Sequence, residues 1–67
     1  LKISDAIALL KDIPEKNLIK GQVGTIVELL NDAKYEVEFC NKHGETITTL
    51  PLDEKSMLLL HYEYVIV

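Results

Sequence analysis

The cleanest alternation in the chain lies at residues 35–40, where Tyr35, Val37 and Phe39 take one parity and Glu36, Glu38 and Cys40 the other. A period of two marks a half-buried strand, here with the aromatic and valine side chains facing inward. Residues 6–10 (AIALL) are too few for a helix once Pro14 closes off any extension, and they read as a first strand. Residues 23–30 are apolar on both parities, Val23, Val27 and Leu29 against Ile26 and Leu30. A strand that bends, presenting each face to the core in turn, has that pattern. Residues 46–50 and 57–60 supply a fourth and a fifth strand.

The segments between are rich in turn chemistry. Residues 11–22 carry Ile13-Pro14, Asn17 and Gly21, a loop with Ile13, Leu18 and Ile19 available to pin it to the core. A connection of that length tends to be a functional surface. Residues 31–34 and 41–44 are hairpin connections, the second ending on a glycine suited to a left-handed conformation. Gly21, Gly24 and Gly44 are assigned to structural turns, and residues 51–56 to a single 3₁₀ turn begun by Pro51. Residues 61–67 (HYEYVIV) form a β-prone tail with Tyr62, Tyr64 and Ile66 on one parity. Left exposed, such a segment is an edge awaiting another strand.

Five short strands, a long first loop, tight hairpins and a 3₁₀ turn before the last strand resemble the SH3-like barrel. The segments ALLKDIP at 8–14, KGQVGTIVE at 20–28, YEVEF at 35–39 and GET at 44–46 are also similar to a family of short bacterial proteins, common in cyanobacteria, whose function is not assigned. That resemblance implies a small five-stranded all-β barrel over residues 1–60, sometimes encoded beside toxin-like genes, with no family site residues to carry over. A looser similarity links residues 20–27 to the KOW motif of ribosomal and transcription-factor barrels, many of which bind RNA.

Composition narrows the chemistry. The 67 residues hold seven lysines, no arginine and eleven acids, for a net charge of −4. Phosphate backbones are bound by clustered Lys and Arg, so this balance argues against nucleic acid and for a basic protein partner. The competing RNA reading would have to draw Lys16, Lys20, Lys34 and Lys42 into one patch. Cys40, His43 and His61 have no metal-ligand spacing, no nucleophile is paired with a base, and GxxG without a following helix is no anion cradle. The expectation is a non-enzymatic module without cofactor or metal.

The apolar run at 57–60 is far shorter than the roughly 20 residues of a membrane helix, and no basic segment leads into an apolar one at the start. A cytoplasmic protein with a reduced Cys40 is expected. A chain of this size buries only roughly 60% of its unfolded surface, which favours added burial by a second copy. The residues expected to contact partners are Glu15, Lys16, Asn17 and Leu18 of the first loop, the Glu36 and Glu38 face, and Tyr62, Tyr64 and Ile66 of the tail, the last set in a homo-oligomer.

Overall fold

The computed structural model describes residues 1–60. They form five antiparallel strands, β1 (Ala6–Leu9), β2 (Val23–Leu29), β3 (Lys34–Cys40), β4 (Thr46–Asp53) and β5 (Met57–Leu59), with 3₁₀ turns at Pro14–Lys16 and Glu54–Ser56. The strand order is β4-β3-β2-β1-β5, so the protein is all-β, as expected. The sheet is not closed into a barrel. Its ladder ends at β4 on one side and β5 on the other.

A single sheet has no second layer against which to bury its apolar face, so it must curl over its own side chains. Ile7 and Leu9 of β1, Ile26 of β2, Val37 and Phe39 of β3, Leu52 of β4 and Met57 of β5 share one buried cluster with Ile13 and Leu18 of the first loop. Since Leu52 and Met57 belong to the two opposite edges, the curl brings the edges to a common core without hydrogen-bonding them. The bend is helped by a bulge in β2, where the register against β3 shifts between Ile26 and Glu28 and Val27 is the extra residue. No buried polar side chain interrupts this core among the described residues.

The sharp local features fit their residues. The chain enters β1 through a turn in which Lys2 donates from its backbone N–H and its ammonium to the Asp5 carboxylate, at 2.9 and 2.6 Å. The hydrogen bond from the Lys2 ammonium, then the one from its backbone N–H, hold the Asp5 carboxyl below the ordinary aspartate range. The first loop is closed by an antiparallel bridge between Ile13 and Leu18, and Asn17 takes a left-handed conformation with φ 57° between them. In the β2–β3 connection Asp32 and Ala33 both have φ 58°, the mirror-image turn whose twist matches a hairpin. In the β3–β4 connection the Asn41 side-chain carbonyl accepts from the backbone N–H of His43 and of Glu45, at 2.8 and 3.1 Å, and Gly44 takes φ 80°.

Several expectations are corrected. Ile19 does not pin the first loop: it is 66% exposed, and Ile13 and Leu18 suffice. In β2 only Gly24 and Ile26 are buried, while Val23, Val27 and Leu29 stay exposed, so the strand bends without turning its second face into the core. Gly24 is no turn residue, because it lies inside β2 opposite Ile7. A Cβ there would come 2.7 Å from Phe39 Cε1 and 2.8 Å from Val37 Cγ1, so this glycine makes room for two core side chains. The segment begun by Pro51 is not a 3₁₀ turn at its start, since β4 runs through Pro51, which pairs with Glu36. Proline lacks the N–H a central strand needs, and β4 is an edge. The expected tail falls on residues 61–67, outside the described residues.

Candidate interaction surface

Inward and outward residues alternate along each strand, so the pairing register assembles the outer surface directly. On β3, Tyr35, Val37 and Phe39 face inward, which leaves Glu36 and Glu38 on the outer face, as the alternation predicts. Across from them the register places Glu28 of β2 opposite Glu36 and Thr25 opposite Glu38. On the other side β4 sets Thr49 beside Glu38 and Pro51 beside Glu36. The result is an acidic outer face with Glu28, Glu36 and Glu38 on two neighbouring strands. Like charges directly opposite on a sheet destabilise it, so the Glu28–Glu36 pair is held against a modest repulsion.

Little on the protein offsets that charge. The Thr46 hydroxyl donates to Glu38 Oε2 at 2.9 Å, which fixes one carboxylate without neutralising it. Among the described residues the one ion pair is Lys2–Asp5, in the turn before β1, where the Ile26 N–H of β2 donates to the Asp5 carbonyl at 2.9 Å. Glu28 contributes to this face although nothing in the sequence singled it out; only the bulged register of β2 brings it opposite Glu36.

The first-loop residues form a separate surface. Glu15 and Lys16 lie in the first 3₁₀ turn and Asn17 caps it, all exposed. Leu18 is 1% exposed and supports the loop from beneath, so it cannot itself meet a partner. The loop's hydrogen bonds join it to β1 and to itself: Gly21 N–H donates to the Leu9 carbonyl at 2.8 Å, and Lys20 N–H to the Asp12 carboxylate at 2.8 Å. Tyr62, Tyr64 and Ile66 lie outside the described residues.

Among the described residues the groups considered for catalysis do not converge, and His61 lies outside them. Cys40 and His43 are exposed, at the end of β3 and in the turn after it. Among the described residues no cluster of His, Cys, Asp and Glu could hold a metal ion. A shallow open cleft of about 300 Å³ is lined by Asp32, Ala33, Asp53, Glu54 and Lys55, where the β2–β3 turn meets the second 3₁₀ turn. Beside it the Tyr35 hydroxyl donates to Glu54 Oε1 at 3.1 Å. Desolvation, and then that hydrogen bond to a carboxylate, push the Tyr35 phenol above its ordinary pKa. The lysines of the RNA reading are dispersed: Lys34 and Lys42 stand at the start of β3 and just beyond its end, Lys16 and Lys20 on the first loop.

Among the described residues no helix is long and apolar enough to cross a membrane. Comparison with curated proteins and with solved structures returned no match. Residues 3–59, which span the whole sheet and both outer surfaces, match the domain of unknown function DUF4926. The chain therefore belongs to the DUF4926 family.

Proposed function

We propose that this domain is a non-enzymatic protein-interaction module whose acidic outer face receives a basic partner protein, as the small neutralising partner of a toxin-like protein would. The observation that carries the reading is the Glu28–Glu36 cross-strand pair with Glu38 beside it. A cation brought between those carboxylates relieves repulsion that the free protein bears, so binding gains from a strain already present. The exposed loop of Glu15, Lys16 and Asn17, held by buried Ile13 and Leu18, offers a second rigid contact.

The test is retention of a basic protein from a lysate of the native host, compared between the wild-type chain and the double variant Glu36→Gln/Glu38→Gln. Wild-type protein should retain a basic partner at low salt, and the double variant should bind it about tenfold more weakly, a difference of about 1.4 kcal/mol. Equal retention by both proteins, or none by either, would refute the reading. Retention of bulk RNA that weakens steeply with added salt would replace it with the RNA-binding alternative.

A further inference from the structure

We draw no further inference here: the strongest candidate, the apolar row that Leu58, Ala8 and Val23 form on the outer surface across β5, β1 and β2, carries nothing because nothing in the structure shows what covers it.

Discussion

The two halves of the outer surface share one strand and almost nothing else. Toward β3 and β4, the outward positions carry Glu28, Glu36, Glu38 and Thr49, with Ile47 of β4 also exposed, and the edge strand is eight residues long with Pro51 in it. Toward β1 and β5, they carry Val23, Ala8 and Leu58, and the edge strand is three apolar residues. Both halves bury the same kind of inner side chain in the same cluster, so core formation does not account for the contrast. One half presents carboxylates on its outer face. The other presents uncharged side chains, with Val23 and Leu58 exposed.

The largest expected effect comes from the point where the halves meet. Gly24 pairs with Ile7 of β1, one residue before Thr25, which pairs with both Ala6 and Glu38. Its missing side chain is the space that Phe39 and Val37 of the acidic half occupy. Gly24→Ala should lower stability by about 1–3 kcal/mol through overpacking, a large share for so small a domain at about 0.05–0.15 kcal/mol per residue. Urea unfolding measures it. Gly21→Ala is the useful contrast, because nothing lies within 4 Å of its Cβ position and only the φ of 91° resists a side chain. Its cost is about 1–2 kcal/mol from the backbone alone. Adding Val37→Ala should partly rescue Gly24→Ala and leave Gly21→Ala unrescued, a coupling that additive costs would exclude.

A smaller change sharpens the charge side of the contrast. Glu36→Gln removes the repulsion against Glu28 and should raise stability by about 0.2–1 kcal/mol at low salt. The gain should shrink toward zero near 1 M salt, where screening acts within about 3 Å. If Glu36→Gln lowers the urea midpoint at every salt concentration, the acidic face is not under repulsion, and the case for a cationic partner loses its support.

Much of this division was legible only after pairing. The inward set Tyr35, Val37 and Phe39 and its acidic reverse follow from alternation within one strand, which a sequence displays directly. The apolar row does not, because Leu58, Ala8 and Val23 come from three distant segments and become neighbours through register alone. Val23, Val27, Leu29 and Ile19 read as core for a related reason: an apolar side chain meant for the outside has the same chemistry as one meant for the inside. In sequence Pro51 reads as a turn former, because edge position, which lets a strand tolerate proline, is a property of the sheet. Gly24 reads as a turn residue in sequence because the side chains it makes room for, Phe39 and Val37, lie a strand away.

The smallest expected effect bears on how the chain crosses from one edge to the other. β4 leads through the 3₁₀ turn Glu54–Ser56 into β5, so these three residues carry the chain from the acidic half to the apolar one. They are fastened by Tyr35, whose hydroxyl donates to Glu54 Oε1 at 3.1 Å, and by the Glu54 N–H, which donates to the Ala33 carbonyl at 3.2 Å. The folded protein holds the Tyr35 phenol neutral above its usual pKa, first by desolvation and then by the carboxylate it serves. A raised pKa means the contribution is complete below the unfolded tyrosine value, near about 10, and is lost as pH rises through the folded one. Thermal midpoints taken from pH 8 to 11 should therefore fall more steeply in the wild type than in Tyr35→Phe, with the two curves parallel below pH 9. Parallel curves throughout would mean that the crossing is held by the backbone bond to Ala33 and by packing, and that the two halves are joined without any help from the phenol.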